Sequence, residues 1–445
     1  MARLDRTQSG LRVYAQKLKL FTPNARKVLL YSGLTGLTFG VFRLLFNFYV
    51  LSLGGYDEQF LGLLTSMSSL ASLMMAIPAA YLANRFSHKH IMVITGLIST
   101  LAFVGFVLLP YRPFLILFNV IAGLAMSARQ VTVAPFLMDN TSPDERQYVF
   151  SFNFGMMTTA EFVGNMLGGF LPTWLGGIVG AMPTDTLAYQ LALGSMVIVS
   201  MLAIGPLLLI RPTAADAVRK VEMPWSQLQQ HAGKLIKLLT PNFIIGLGAG
   251  LMMPFMNVYY RHVFGRSDST IGTLFAMGAL TMAVAQFLAP PIADRLGKIN
   301  TVVVTQALSV PFLLTLGLAA WIVPGGRANL PLWFAIAAVA YLFRLALMNL
   351  SGPVYQTFIL ESVQPGLQAL AAGLNSVSFQ FGWAFSPYLS GWFQTTYGEF
   401  GFVPVFLTTS FLYMVAIAVT WAFFHHAEGP PVSARSSEAK TVTTR

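Results

Sequence analysis

Long apolar stretches alternate with short polar breaks along almost the whole chain. Each stretch has roughly 20 residues or more, which is enough for a helix to cross the hydrocarbon core of a membrane. The breaks, such as Tyr111-Arg112-Pro113, are too short to form a folded domain. The pattern predicts twelve transmembrane helices, at about 28–53, 59–82, 91–110, 114–138, 148–175, 187–210, 242–264, 270–291, 300–323, 331–359, 369–394 and 402–424.

One longer polar stretch divides the predicted helices into two groups of six. Its residues Trp225, Leu228, Leu235 and Leu238 alternate with polar residues. This spacing is typical of an amphipathic helix on a membrane surface, and a flexible linker fits it equally well. The predicted segments are a basic N-terminal segment at 1–27, a first bundle at 28–210, a linker at 211–241, a second bundle at 242–424 and a disordered tail at 425–445.

Composition supports a membrane protein. Only 10% of the 445 residues are charged and 55% are hydrophobic, whereas soluble proteins carry about 25% charged residues. A soluble enzyme and a nucleic-acid binder are therefore excluded as first interpretations. The chain has no cysteine, so it has no disulfide and no thiol nucleophile. We expect no metal site and no cofactor.

The positive charges predict the orientation. Of the 27 lysines and arginines, 20 lie in segments on the same side as the N terminus and 4 on the other side. Since cytoplasmic segments carry the excess of these residues, both termini are predicted to be cytoplasmic. We expect a multi-pass protein of the plasma membrane, specifically a bacterial inner membrane. The net charge of +11 then reflects topology rather than a polyanionic partner.

The two halves repeat each other. Each half has an even number of helices, so the two copies enter the membrane from the same side as parallel repeats, an arrangement typical of one class of transporter. A shift of 222 pairs Gly169 with Gly391. A shift of 210 pairs Gly36 with Gly246, Gly40 with Gly250, Asn47 with Asn257, Tyr49 with Tyr259, Gly62 with Gly272 and Arg85 with Arg295.

Loop and helix motifs carry a family resemblance. Residues Asp294-Arg295-Leu296-Gly297-Lys298 resemble the loop motif of the major facilitator superfamily, and the segment beginning Asn84-Arg85 is an altered copy. The predicted fifth and eleventh helices carry glycine patterns similar to the antiporter motif of that family. The resemblance covers roughly residues 26–424. It implies an all-α integral membrane fold of two six-helix bundles and transport by alternating access, without enzymatic activity.

Four charged residues lie well inside predicted helices, where each is costly and therefore a candidate functional residue. Arg43 and Arg344 lie near mid-membrane on polar helix faces, and Arg129 lies closer to a helix end. Glu161, at the centre of its helix, is the candidate coupling residue. A buried pair of Glu161 with Arg43 or Arg344 that only fixes helix packing is the structural alternative. The predicted substrate-binding residues are Arg43, Asn47, Arg129, Asn257, Arg344 and Tyr355.

These charges predict the class of substrate. Three arginines against one glutamate give an excess of positive charge, and guanidinium groups bind carboxylates and phosphates well. We expect a secondary transporter of an organic or amphipathic anion, with protons as a candidate coupling ion. The alternative is efflux of drugs or hydrophobic cations, although Asn119 replaces an arginine common in drug antiporters of this family. An alternative of another class is a membrane receptor or lipid scramblase.

The expected partners are a small molecule and the lipid bilayer, with no nucleic acid, and the chain is expected to be a monomer. Aromatic residues are predicted to surround the charges, namely Phe46, Phe48, Tyr49, Phe154, Tyr259, Tyr260, Tyr355, Phe379 and Trp383.

The loop motif also predicts an inner gate. In the resembling family its aspartate meets the start of a helix from the other half when the cavity faces outward. That contact would be a charged latch between Asp294 and Arg146, and the repeat copy would be an uncharged latch between Asn84 and Gln368. Two solvated loop charges are the alternative. Arg85 and Arg295, beside these latches, complete the predicted gate residues.

Overall fold

The computed structural model describes residues 21–141, 143–211, 225–326, 329–364 and 367–426. Within these ranges the chain forms twelve long helices. They are α1 (Pro23–Ser52), α2 (Glu58–Arg85), α3 (His88–Leu108), α4 (Arg112–Asp139), α5 (Pro143–Val179), α6 (Thr186–Leu208), α7 (Trp225–Met252), α8 (Asp268–Leu296), α9 (Lys298–Ile322), α10 (Leu330–Ser362), α11 (Gln368–Tyr397) and α12 (Phe402–Phe424). A 3₁₀ turn at Met253–Phe255 interrupts the seventh helix, and the short helix Met256–Phe264 completes it.

Eleven of the helical segments described are long and apolar enough to cross a membrane by length and composition. The remaining long helix, α11, has 30 residues. Each of the twelve predicted spans therefore coincides with an observed helix. The helices extend beyond the apolar stretches by a few residues because polar residues such as Asp57 and Ser267 cap their first turns.

The predicted linker at 211–241 stays a prediction in its first part, and from residue 225 onward the chain is helical, as the helical alternative allowed. The helix α7 begins at Trp225 and runs without interruption through Pro241 into the second half. Leu235 and Leu238 are buried in a cluster with Phe358 instead of lying on a membrane surface. These leucines face neighbouring helices, so their spacing reflects packing inside the protein. Residues 212–224, like segments 1–20 and 427–445, lie outside the described residues.

Small residues bring α1 against α5 and α7 against α11. A Cβ atom added to Gly40 would lie 2.6 Å from the carbonyl oxygen of Glu161. In the second half, the corresponding approach places Gly246 against Phe379 and Gly382. Glycine without a side chain allows helix backbones to approach this closely. The repeated glycines therefore have a structural role, which is to set equivalent helix pairs in the two halves.

The two halves meet along two crossings, α2 with α11 and α5 with α8. We call the membrane face that carries Pro23 and Phe424 the terminal face, and the other face the opposite face. Among the described residues, hydrogen bonds and ion pairs between the halves extend from Ser72–Gln380 at mid-depth to the opposite face. These contacts of the described residues thus close the molecule at the opposite face.

Candidate functional site

A cavity of about 480 Å³ lies between the halves. It extends from Tyr31 on α1, toward the terminal face, down to Asn257 in the interrupted seventh helix. Much of its wall is aromatic, and the second half contributes Met253, Pro254, Asn257, Phe275 and Trp383. Its phenylalanines are Phe39, Phe42, Phe46, Phe103, Phe106 and Phe275.

Arg43 and Glu161 form an ion pair at the edge of this cavity. The Nη1 atom of Arg43 lies 2.7 Å from Oε1 of Glu161. The Arg43 side chain is 33% exposed and lines the cavity, whereas the Glu161 side chain is 10% exposed and lies behind it. The close approach of α1 and α5 at Gly40 brings the two charges together. This is the pair that the sequence allowed as a structural alternative.

Arg129 is a second guanidinium on the cavity wall, contributed by α4 and only partly buried. In the described part of the chain, no carboxylate lies within ion-pair distance of it. Asn119 lies on the same helix, closer to the opposite face, and its side-chain amide donates to the carbonyl of Leu115 at 3.0 Å. Arg129 therefore presents an uncompensated positive charge to the cavity.

Arg344 belongs to a smaller cavity of about 320 Å³ within the second half. It is 3% exposed, and its Nη2 atom donates to the hydroxyl of Tyr413 at 2.6 Å. Met253 and Trp383 line both this cavity and the larger one, so the two are adjacent. Several amide side chains line this cavity together with Arg344, namely Asn242, Gln286, Gln306, Asn349 and Asn375.

Tyr355 also lines the smaller cavity, but its hydroxyl donates to the carbonyl of Leu238 at 2.8 Å. Other predicted aromatic residues are part of the packed core instead. Tyr49 and Tyr259 are fully buried, and each hydroxyl donates to a backbone carbonyl at 2.9 Å, that of Phe106 and Leu316 respectively. Of the predicted aromatic residues, Phe46 and Trp383 line the larger cavity and Tyr355, Phe379 and Trp383 the smaller one.

Asn47 and Asn257 close the base of the larger cavity. The Asn47 amide donates to Oδ1 of Asn257 at 2.9 Å and to the carbonyl of Pro254 at 2.6 Å. The Asn257 amide donates to the carbonyl of Leu44 at 2.7 Å. These repeat-related residues therefore join the two halves in this conformation. Their amide groups bind the protein itself, so their predicted contact with substrate stays a prediction for another state.

A buried polar cluster seals the opposite face. Arg261 forms an ion pair with Asp268, and the Tyr189 hydroxyl donates to Asp268 at 3.0 Å. Arg261 also donates to the Tyr189 hydroxyl at 2.8 Å, and its guanidinium lies 3.5 Å from the centre of the Phe48 ring. Tyr189 and Phe48 come from the first half, whereas Arg261 and Asp268 come from the second. The cluster therefore joins the halves.

The sequence alone did not predict this cluster, because Arg261 lies near a helix end, where a charge is expected to be solvated. The sequence does contain a feature that predicts this ion pair, since Arg261 and Asp268 are opposite charges on either side of the turn at Gly265. No comparable feature of the sequence predicts the contact with Tyr189, which lies far away in the chain. A second contact nearby joins Glu58 to His262 at 3.5 Å.

The predicted inner gate stays a prediction. Asp294, Arg295 and Arg85 are exposed on the terminal face, and Gln368 donates to the carbonyl of Leu360 within its own half. The side chains of Arg146 and Asn84 lie outside the described residues. Both latches are predicted for the conformation in which the terminal face is closed, whereas the described contacts of this structure close the opposite face.

Gly272 is expected to control closure of the opposite face. A Cβ atom at Gly272 would lie 2.5 Å from the carbonyl oxygen of Asn165 and 2.9 Å from the Cα of Gly169. The variant Gly272→Val should therefore hold the crossing of α5 and α8 apart and enrich the state open at the opposite face. A cysteine introduced at Thr65, on the cavity wall, should then react with a membrane-impermeant thiol reagent added at that face.

Gly373→Val is the matched control, since a Cβ at Gly373 meets nothing within 4 Å. Equal labelling of the cysteine at position 65 in both variants would show that the glycine crossing does not limit closure.

Two pseudo-symmetric helical halves around a central cavity, closed at one face, define a membrane transporter. A family model of the Major Facilitator Superfamily matches residues 28–239 and 238–444. The chain belongs to the Major Facilitator Superfamily and is a multi-pass secondary transporter, not an enzyme. The predicted family, fold and transporter class are thereby confirmed.

Individual relatives are distant. Over 386 residues the chain is 22% identical to the multi-drug resistance efflux pump PmrA of Streptococcus pneumoniae, covering 85% of this chain and 90% of that protein. Among solved structures it resembles a mutant of the nucleoside transporter NupG, with a TM-score of 0.72, 13% identity, and coverage of 90% of this chain and 100% of that chain.

It also resembles a bacterial homolog of the human lysosomal transporter Spinster in an inward-facing, unoccupied conformation. That comparison has a TM-score of 0.70 and 14% identity, and covers 92% of this chain and 98% of that chain. At these identities the structural similarities establish the fold alone.

Proposed function

We propose that this protein transports an amphipathic organic anion by alternating access. The observation that carries the proposal is the composition of the larger cavity. Arg43 and Arg129 line it, and among the described residues of its wall there is no aspartate or glutamate. The remaining wall is largely aromatic. Such a cavity suits a molecule with an apolar body and an acidic group.

The charges beside the cavities favour an anion. Glu161 balances Arg43, whereas Arg129 and Arg344 have no carboxylate within ion-pair distance among the described residues. An excess of two positive charges in a site of low dielectric attracts an anionic group more strongly than it would in water. The planar donor fork of arginine matches a carboxylate or a phosphate.

Efflux of a hydrophobic cation is the second candidate. The name of the PmrA relative, a multi-drug efflux pump, supports export of apolar compounds, and the aromatic wall would suit them. A cation, however, needs a carboxylate that faces the cavity. Glu161 is buried behind Arg43 and bound to it, so the geometry favours the anion.

Glu161 is proposed to couple transport to protons through its pairing with Arg43. An anion bound to Arg43 would compete with Glu161 for the same guanidinium. A buried carboxylate that has lost its cationic partner is costly, and uptake of a proton removes that cost. The anion and a proton would then bind together. Substrate binding at Arg43 would thus be coupled to protonation of Glu161, although the substrate does not contact Glu161.

The orientation is part of the proposal. With both termini in the cytoplasm, as the distribution of lysine and arginine favours, the cavity of this structure opens inward, and a bacterial inner membrane fits that arrangement. In the outward-open state the proposed latches at the terminal face, Asp294 with Arg146 and Asn84 with Gln368, would close the cytoplasmic side.

Neutralising Arg129 is expected to weaken binding of anions. In a thermal-shift assay of the purified chain, aromatic carboxylates and alkyl sulfates should raise the unfolding temperature, because a ligand that binds only the folded state stabilises it. Lipophilic ammonium ions of similar size should not. Arg129→Gln should weaken anion binding about tenfold, which corresponds to about 1.4 kcal/mol for one lost charged contact.

Lys234→Gln provides the control, because Lys234 is exposed and lines neither cavity. Stabilisation by ammonium ions in preference to anions would favour the cation alternative. Binding of anions without uptake into vesicles would favour a receptor.

A further inference from the structure

A separate groove of about 700 Å³ lies at the opposite face, on the outside of the α2–α11 crossing. Its wall comes from both halves and from the first turn of α4. The residues that line it are Gly55, Tyr56, Asp57, Gln59, Phe60, Leu63, Ser66, Met67, Leu70, Arg112, Ala384, Phe385 and Tyr388. None of the predicted substrate residues belongs to this groove.

The mouth of the groove carries one charge of each sign. Asp57 is exposed and caps α2, with Oδ1 accepting from the backbone N–H of Phe60 at 2.8 Å. Arg112 is exposed at the start of α4, and its guanidinium lies 5.2 Å from the centre of the Phe60 ring. Within the described residues, neither charge is in an ion pair. Both remain available to a ligand.

Below the mouth the groove becomes apolar. From Asp57 to Leu70 along α2 is roughly 20 Å at 1.5 Å per residue, and Ala384 marks a similar depth on α11. This distance corresponds to about half the thickness of a bilayer including its interfacial region. Phe385 and Tyr388 are exposed on this surface, and Tyr56 and Tyr388 lie near the mouth, where aromatic residues favour the membrane interface.

We propose that this groove binds a phospholipid whose headgroup carries a primary ammonium, as in phosphatidylethanolamine. The phosphate binds Arg112, since guanidinium presents a donor fork to phosphate oxygens. The ammonium binds the carboxylate of Asp57. One acyl chain lies along Leu63, Met67 and Phe385 toward the middle of the membrane. A lipid with only an anionic headgroup would leave Asp57 unpaired beside it.

The site is specific to one crossing. The position matching Asp57 in the repeat is Ser267, and Arg112-Pro113 corresponds to Leu330-Pro331. The second copy therefore has neither charge. If both crossings only contacted bulk lipid, there would be no reason for one of them alone to carry this pair of charges.

Binding would depend on conformation. The wall combines Leu63 and Leu70 of the first half with Phe385 and Tyr388 of the second. These residues stand together because the opposite face is closed, with Gln59 donating to the hydroxyl of Tyr388 at 2.8 Å. A ligand that binds one state more tightly shifts the population toward it. The lipid therefore stabilises the state closed at the opposite face, whatever the transported substrate is.

Native mass spectrometry of the full chain in detergent tests the assignment. Phosphatidylethanolamine, phosphatidylcholine and phosphatidylglycerol with identical acyl chains are added in turn. We expect retention of phosphatidylethanolamine about fivefold above phosphatidylcholine, whose methylated ammonium cannot donate hydrogen bonds. Arg112→Gln should lower retention of all three lipids, because each carries the phosphate that Arg112 binds. Asp57→Asn should remove the preference for phosphatidylethanolamine while retaining phosphatidylglycerol, and the helix cap should survive because asparagine caps as well as aspartate.

Arg266→Gln is the matched control, since Arg266 also lies against an aromatic ring, that of Phe334 at 4.2 Å, but outside the groove. It should bind lipid as the unaltered protein does. Equal retention of the three lipids by the unaltered protein, a preference for phosphatidylglycerol, or unchanged retention in Arg112→Gln would overturn the proposal.

A second measurement keeps the inference testable if Arg112→Gln proves unstable in detergent. Spin labels on cysteines at Tyr111 and Phe400, both exposed at the opposite face, report the distance between the halves in vesicles. Replacing phosphatidylcholine with phosphatidylethanolamine should raise the closed population about fivefold in the unaltered protein and leave it unchanged in Asp57→Asn. An equal response in both would contradict the site.

Discussion

Asp268→Asn is expected to shift the protein strongly toward the state open at the opposite face. The change leaves Arg261, held against Phe48 and Tyr189, without its carboxylate in a largely buried site. Breaking a buried pair by removing one partner typically costs about 3–5 kcal/mol. Because the Arg261 side chain is 22% exposed, the lower end applies, and about 3 kcal/mol changes a two-state equilibrium more than 100-fold.

Double electron–electron resonance measures this population directly. The chain has no cysteine, so cysteines introduced at Tyr111 and Phe400 carry the only labels. Asp268→Asn should replace the short distance between these labels with a longer one. The double variant Arg261→Met with Asp268→Leu should recover much of the short distance, because replacing both buried charges with apolar residues is often neutral.

Glu58→Gln provides the comparison at the same face. Its contact with His262 is 3.5 Å long and the His262 side chain is 43% exposed, and an exposed pair contributes only about 0–1 kcal/mol. This variant should change the distances little. Equal effects of Asp268→Asn and Glu58→Gln would show that burial of the Arg261 cluster does not control closure.

Replacing Glu161 with glutamine is expected to strengthen anion binding and to remove its dependence on pH. In the unaltered protein, an anion must displace Glu161 from Arg43, and the displaced carboxylate takes up a proton. Affinity should therefore rise as the pH falls. In Glu161→Gln the guanidinium is already free of a competing carboxylate, so affinity should increase about tenfold and stay constant with pH.

Arg43→Gln should abolish most of the anion binding, and isothermal titration in two buffers of different ionisation enthalpy would count the protons taken up. The structural alternative for this pair makes a different prediction. If the pair serves packing alone, each single variant should lower the stability of the protein while proton uptake on binding continues. Proton uptake that persists in Glu161→Gln would exclude this residue as the coupling group.

The twelve helices could be predicted because a membrane restricts the sequence of each segment that crosses it. A spanning helix needs about 20 apolar residues, and the polar breaks between such stretches are therefore visible in the sequence. The surroundings of the segment Trp225–Thr240 could not be predicted in this way. Its alternating leucines satisfy the pattern of a surface helix, but Leu235 and Leu238 are buried against other helices. Periodicity identifies an apolar face without identifying what covers it.

The candidate residues could be found for a similar reason. Arg43, Arg129, Arg344 and Glu161 are conspicuous because charges inside a membrane are costly. The residues that these charges contact were harder to predict from the sequence. The pairing of Arg43 with Glu161 was one of two alternatives, and Arg344 instead donates to Tyr413, which no sequence pattern indicated. A neutral tyrosine in an apolar helix gives no signal of that role.

The sequence by itself determined the number of helices, their division into two repeats, the excess of positive charge on one side and the depth of the charged residues. These follow from hydropathy and charge, which act on each segment separately. The tertiary structure alone decided which charges meet. Glu161 lies 118 positions from Arg43, and Tyr189 lies 79 positions from Asp268. Such contacts depend on how distant helices pack, and here glycines at the crossings allow the close approach.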